Sequence, residues 1–261
     1  MAEHIGGSEE AFVKKMNIRA KELGMKNTKF INSCGLDVEG HVSSAYDVAI
    51  MSKELITRFP EIIKYTTTWM DTITHKTRKG ESKFGLTNTN KLVRTYKGIT
   101  GLKTGSTSKA KYCLSATANK DGIDMIAVVM GAPEHKLRFI EAAKLLDYGY
   151  SKCIKYEHKY DNNKLKNIEV KNGMIDKIDG MINNKFRYVY MEGEGSIKYK
   201  KIVNTVEAPI KKGDKIGVIE YYLDGVKIGE NDISASMDVK RADYLDYVDK
   251  IFTKWLIKKR K

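Results

Sequence analysis

Lys103-Thr104-Gly105 closes a glycine-punctuated apolar run that begins at Gly98, and a β-prone stretch follows it directly. These residue types at this spacing suit an anionic ligand laid along a strand edge. Gly105 has no side chain, so a ligand can approach the backbone closely. Thr104 can donate its hydroxyl to a carboxylate, and Lys103 supplies positive potential. The backbone N–H of Ser106 can serve an oxyanion. The triplet alone is weak evidence, because a lysine-rich chain yields it by chance and a solvated edge strand explains the same letters. The five histidines offer no rival chemistry. His4, His41, His75, His135 and His158 show no metal spacing. His41 with Asp47 hints at a Ser-His-Asp site, but no nucleophile elbow accompanies them, and His41 reads better as a helix-entry residue. Cys34, Cys113 and Cys153 are odd in number and lack ligand spacing. They read as free thiols, with a disulfide or metal site as the competing reading. No metal and no cofactor are expected.

The elements that must hold the triplet follow from periodicity and turn residues. Ser8 caps a predicted helix to Gly24 with an apolar stripe of Phe12, Val13, Met16, Ala20 and Leu23. A second helix starts at Ser44, with Asp47 as capping-box partner, and stops before Pro60. Residues 66–74 are β-prone, and residues 88–93 are loop-like. Ile99 to Thr104, Tyr112 to Ala118 and Ile123 to Met130 read as strands. Asp121-Gly122 marks a hairpin between the last two. A helix after Pro133 runs to Gly149, with Leu137, Ile140, Leu145 and Tyr148 along one side. The expected class is therefore α+β, with helices around an antiparallel sheet over 1–151.

Composition shifts near Ser151. Residues 152–238 alternate short β-prone runs with turns at Asn172-Gly173, Asp179-Gly180, Lys212-Gly-Asp214 and Asp224-Gly225. That spacing predicts a small all-β, sandwich-like domain. Residues 239–261 differ again. Tyr244, Val248, Ile251, Phe252 and Trp255 follow helical spacing, and eight basic residues stand against three acidic ones. An aromatic apolar face with a basic end is the pattern of a helix lying on an anionic membrane surface; docking on the protein itself is the alternative.

At 261 residues the chain is long enough for one or two domains with a sizeable core. Its 41% hydrophobic and 31% charged residues fit a globular chain. No run of 18 apolar residues is present, and the first ten residues are not a signal peptide. They read as the end of one helix, a Gly6-Gly7 turn and the start of the next, so a truncated beginning is expected. The net charge of +14 is scattered along the chain. A nucleic-acid partner would rest on that charge alone, without a binding signature, and is not expected.

Taken together, these motifs resemble the low-molecular-weight penicillin-binding proteins, the serine-type D-alanyl-D-alanine carboxypeptidases. The likeness runs through Met16-Asn17, Leu23-Gly-Met25, Thr28-Lys-Phe30 and Gly35-Leu36, then His41-Val-Ser-Ser-Ala-Tyr-Asp47. It continues through Asn88-Thr-Asn-Lys-Leu92, Gly101-Leu-Lys-Thr-Gly105 and Tyr112-Cys-Leu-Ser-Ala-Thr-Ala118. Ala208-Pro-Ile-Lys-Lys-Gly-Asp-Lys-Ile-Gly217 is similar to the family's C-terminal β domain.

The resemblance implies a partial penicillin-binding, β-lactamase-like transpeptidase fold. It implies acyl transfer on peptidoglycan stem peptides, in which a serine attacks the penultimate D-Ala carbonyl with a lysine as base. It assigns Lys103, Thr104, Gly105 and Arg138 to substrate binding, with Arg138 on the terminal carboxylate. It also implies an extracytoplasmic place on the bacterial membrane, held by a C-terminal amphipathic helix. The sequence departs from the family at three points. Ser106-Thr-Ser-Lys109 and Ser108-Lys-Ala-Lys111 match Ser-x-x-Lys only by letter, outside a helix, and no Ser-x-Asn occurs. Tyr160-Asp-Asn162 matches a Tyr-x-Asn variant beyond the enzyme domain. Lys111 stands where the family usually has glycine. The expectation is thus the C-terminal portion of such an enzyme, without nucleophile and inactive alone, which meets β-lactams only if the N-terminal part is supplied. A non-catalytic peptidoglycan- or membrane-surface-binding module is the alternative.

Overall fold

The structure, a computed structural model, describes residues 1–78, 80–161, 165–203 and 205–258. It divides into two units, Met1–Lys152 and Cys153–Lys261. In the first unit, α1 (Ala2–Gly6) and α2 (Glu9–Glu22) precede α3 (Ala45–Arg58) and α4 (Ile62–Thr66). Ser8 caps α2 by accepting from the Ala11 N–H at 3.1 Å, and Ser44 caps α3 by accepting from the Asp47 N–H at 3.2 Å. The return half of the expected capping box is not made. The Asp47 carboxylate is buried and instead accepts from the Asn27 N–H and the Thr28 hydroxyl, both at 2.7 Å. It thereby ties α3 to the loop after α2.

β1 (Met70–Thr77) and β2 (Gly80–Thr87) form a hairpin exposed on both faces. A short α5 (Leu92–Thr95) leads into the central sheet of β3 (Ile99–Thr107), β4 (Lys111–Lys120) and β5 (Ile123–Ala132), in the order β3-β4-β5. Asp121 (φ 54) and Gly122 (φ 76) both take the left-handed conformation that a two-residue hairpin needs.

One face of this sheet is covered by α6 (Leu137–Lys152). The core there holds Leu92, Leu114, Ala116, Ala118, Ala127, Phe139, Ala142 and Leu146. The apolar side read from the sequence is not the buried one: Ile140, Leu145 and Tyr148 are exposed, while Arg138, Phe139, Ala142 and Leu146 are buried. The sheet face is paved with alanines, so the helix approaches through its small residues rather than its largest apolar stripe. The helix also continues through Gly149. A Cβ there would stand 2.8 Å from the Met125 sulfur, so close helix–sheet approach explains this glycine.

Among its described residues the second unit holds β6 (Cys153–Glu157), β7 (Ile168–Lys171), β8 (Lys177–Ile178), β9 (Gly180–Met181), β10 (Arg187–Met191), β11 (Ile197–Val203), β12 (Val206–Glu207), β13 (Lys215–Leu223), β14 (Val226–Ala235) and α7 (Tyr244–Lys258). The largest sheet runs β11-β13-β14-β9, and a three-stranded sheet runs β12-β7-β8. The Asp224-Gly225 turn joins β13 to β14 with φ of 46 and 86. Tyr221 is fully buried, stacks on Phe186 at 3.6 Å between centroids, and donates to the Tyr160 hydroxyl at 3.0 Å. Tyr160 is thus a core residue here; Asn162, the end of the Tyr-x-Asn match, lies outside the described residues.

The C-terminal segment differs from the expected 239–261 helix at its start. Val239 is buried in the β core and bridges Ile210, and the helix begins at Tyr244. Tyr247 donates to Asn172 at 3.1 Å, and Lys250 bonds Gly173 O and Asp176. Tyr244, Leu245, Ile251, Phe252 and Trp255 are exposed. The basic end, Lys259 to Lys261, lies outside the described residues. Among the described residues, no helix is long and apolar enough to cross a membrane.

Candidate active site

The triplet lies on β3, an edge strand of its sheet. Lys103, Gly105 and Ser106 are exposed, while Thr104 is buried and shares a hydrogen bond with the Thr89 hydroxyl at 2.6 Å. A threonine in such a pair can accept from its neighbour while donating its own proton to a ligand. Lys103 Nζ donates back to Thr104 O at 2.6 Å.

Arg138 reaches the same strand from α6. Its Nη1 donates to Gly105 O at 3.1 Å and Cys113 O at 3.3 Å. The guanidinium lies 5.5 Å from the Tyr112 ring centroid and 4.8 Å from that of Phe139. It is buried, its Nε has no partner, and it makes no ion pair with a carboxylate among the described residues. Burial lowers its pKa from the ordinary value. An arginine held this way is a cation short of an anion.

One pocket of about 620 Å³ gathers these residues. Lys103, Thr104, Gly105, Ser106 and Arg138 line it together with Thr87, Asn88, Thr89, Lys91 and His135. The latter five were not singled out for the site from the sequence. The Asn-x-Asn spacing was the available signal. Asn88 accepts from the Asn90 N–H at 2.9 Å and Asn90 from the Leu92 N–H at 3.1 Å, two successive Asx turns. Buried Asn90 also donates to Gly101 O at 3.1 Å, which fixes this wall against β3. Loss of hydration, with Arg138, Lys91 and Lys136 nearby, lowers the His135 pKa.

Adjoining the triplet is an apolar groove of about 560 Å³, lined by Val48, Met51, Leu55, Ile62, Leu102 and Met130 among others. It shares Lys103, Thr104 and Gly105 with the polar pocket. Neither serine of the two Ser-x-x-Lys matches is helical: Ser106 is on β3 and Ser108 is in the following turn. Among the described residues no group of His, Cys, Asp or Glu could hold a metal, and the three cysteines are free thiols.

The D-alanyl-D-alanine carboxypeptidase profile matches residues 1–134, and that of the penicillin-binding protein 5 C-terminal domain matches residues 156–241. This chain belongs to the D-alanyl-D-alanine carboxypeptidase family. It is 40% identical over 258 residues to D-alanyl-D-alanine carboxypeptidase DacF of Bacillus subtilis, covering 98% of this chain and 65% of that relative. Penicillin-binding protein 5 of Haemophilus influenzae superposes with a TM-score of 0.59 at 30% identity, covering 92% of this chain and 69% of that one. A peptidoglycan synthesis regulatory factor (PBP3) of Streptococcus pneumoniae shares the fold, with a TM-score of 0.68 at 23% identity over 92% of this chain and 72% of that one. The chain spans less than two thirds of the length of the curated relatives it matches. One family departure acquires a physical meaning here. Lys111 sits at φ 56, where glycine is the unstrained residue.

Proposed function

We propose that this chain forms the carboxylate-binding wall of a serine D-alanyl-D-alanine carboxypeptidase, which trims the terminal D-Ala from peptidoglycan stem peptides through an acyl-enzyme. The observation that carries this reading is Arg138, buried beside an edge strand with no anionic partner among the described residues. A terminal carboxylate supplies the missing charge, with the Thr104 hydroxyl as second donor. The peptide lies along Gly105, and the Ser106 N–H receives charge developing on the scissile carbonyl oxygen. Lys103 raises the positive potential at the same place. The family's nucleophile motif is not in this sequence, so the chain alone binds without reacting.

Two measurements on the full chain test this. A peptide ending in D-alanyl-D-alanine should perturb the pocket with its free carboxylate and lose at least tenfold in affinity as the C-terminal amide, about 1.4 kcal/mol. Equal binding of acid and amide would remove Arg138 from the role. A fluorescent penicillin should leave no covalent band on a denaturing gel; a stoichiometric band would point to Ser106 or Ser108.

A second reading rests on α7. Its exposed Tyr244, Leu245, Ile251, Phe252 and Trp255 form one stripe, while Tyr247 and Lys250 hold the helix to the β unit. This supports an in-plane helix on an anionic membrane, consistent with an extracytoplasmic enzyme of the cell wall. Each basic residue near such a surface contributes about 1 kcal/mol. Removal of the residues after Asp243 spares Val239 and should abolish sedimentation with anionic liposomes, and high salt should weaken it in the intact chain. Unchanged binding without the helix would make the segment structural.

A further inference from the structure

The pocket beside the triplet holds more positive charge than one carboxylate requires. Of its ten lining residues, Lys91, Lys103 and Arg138 are permanent cations, and none is an acid. Arg138 and Lys103 belong to the wall that takes the terminal carboxylate. Lys91 comes from a different segment, immediately before α5.

Its placement is built rather than incidental. The ammonium lies over Trp69, 5.2 Å from the ring centroid, and the Arg94 guanidinium lies 5.4 Å from the same ring. Trp69 is itself fixed where the hairpin rejoins the pocket wall, its carbonyl accepting from the Asn88 N–H at 2.8 Å. The indole orders the lysine without neutralising it. Neither Lys91 nor Arg94 makes an ion pair with an acid among the described residues. His135, the remaining titratable group of the lining, sits in the same positive field, which favours its neutral form.

We infer that Lys91 is a second anion-binding position of this pocket, so the favoured ligand is a peptide carrying a side-chain carboxylate in addition to its terminal one. This rests on the carboxylate-binding reading above. Lys91 acts on affinity and selectivity, not on the bond-breaking step.

The test compares two probes by titration calorimetry on the full chain: N-acetyl-L-norleucyl-D-alanyl-D-alanine and N-acetyl-L-2-aminopimelyl-D-alanyl-D-alanine. The two differ at the side chain, which is neutral in the first and ends in a carboxylate in the second. The dicarboxylate should bind about three- to fivefold tighter, the range of a partly exposed ion pair, with the ratio shrinking at high salt. Lys91→Met should bring the ratio to about one, and Lys91→Arg should keep it. Equal binding of both probes by the unaltered chain, or a ratio that survives Lys91→Met, overturns the inference. C-terminal amides of both probes separate the two readings. If the amides bind as well as the acids, the carboxylate wall fails and this inference with it. If only the acids bind but without side-chain preference, the inference alone fails.

Discussion

The two units bury themselves differently. In the second, fourteen of the described residues form one buried cluster, dominated by isoleucine and valine with Phe186 and Tyr221. In the longer first unit, eight residues form the buried cluster, and four of them are alanines. α6 closes one face of the first unit's sheet, while α3 and α4 cover the other only in part. That other face carries the apolar groove that adjoins the triplet. Buried apolar area is the main favourable term in folding, at about 25 cal/mol per Å². A unit with fewer and smaller buried side chains and an open groove has less of it per residue ordered. The contrast predicts that the unit with the candidate site is the weaker of the two.

The largest effect that would break this comparison is a reversed order of opening. Limited proteolysis of the full chain should cut the first unit and leave a resistant fragment beginning near Cys153. Hydrogen exchange should show core strands β3 to β5 opening with a free energy at least about 2 kcal/mol below that of β13 and β14. Equal protection, or earlier loss of the second unit, would mean that the groove costs the first unit nothing.

The same contrast explains what was legible in the sequence. The hairpins at Asp121-Gly122 and Asp224-Gly225 were legible because a two-residue turn depends on local conformation alone. The buried face of α6 was not. Ala142 and Arg138 do not read as apolar anchors, and only the alanine-paved sheet opposite makes them the inward face. The β1–β2 hairpin was half seen, since Gly80-Glu-Ser-Lys-Phe-Gly-Leu-Thr87 carries little strand propensity. At the candidate site, Lys103 to Ser106 stand out by their own spacing, and Arg138 by resemblance. Thr89 and Lys91 come from one segment and His135 from another, and only tertiary pairing brings them to β3. Asp37, whose carboxylate accepts from the Thr107 hydroxyl and the Lys109 N–H in the turn after the triplet, carried no signal at all.

A smaller effect sharpens the comparison at two turns of similar kind. Lys111 and Gly225 both sit at positive φ, 56 and 86, in hairpin connections of the two units. In the first unit the cost of a Cβ at positive φ is tolerated; in the second, glycine avoids it. Lys111→Gly should stabilise the first unit by about 0.5–1 kcal/mol, and Gly225→Ala should destabilise the second by about 1 kcal/mol. No added atom meets a neighbour at Gly225, so conformation alone is being read. Chemical denaturation followed separately in each unit measures both. The same sign for the two substitutions would show that side-chain contacts of Lys111, rather than backbone strain, decide its turn.

The smallest effect concerns pH and the turn that ends the triplet strand. Thr107 donates its hydroxyl to Asp37 Oδ1 at 2.6 Å, and the Lys109 N–H donates to Oδ2 at 3.0 Å. The Ala110 N–H then donates to the Thr107 hydroxyl at 2.9 Å, so the carboxylate organises the whole connection. These hydrogen bonds, Thr107 first, hold the Asp37 pKa below the ordinary value of 3.8. A group whose pKa falls on folding binds fewer protons in the folded state. Its stabilisation is therefore full above the unfolded pKa and is lost as pH falls through the lower, folded one. The Asp224-Gly225 turn takes its shape from backbone conformation and needs no such carboxylate. Thermal unfolding of the intact chain and of Asp37→Asn should show a gap in the first unit's midpoint that is constant above about pH 5 and closes below about pH 4. The second unit's midpoint should be indifferent to the substitution at every pH. A gap that stays the same in acid would mean that the protonated carboxyl clamps the turn as well as the carboxylate does, and that charge at Asp37 plays no part in presenting the strand edge.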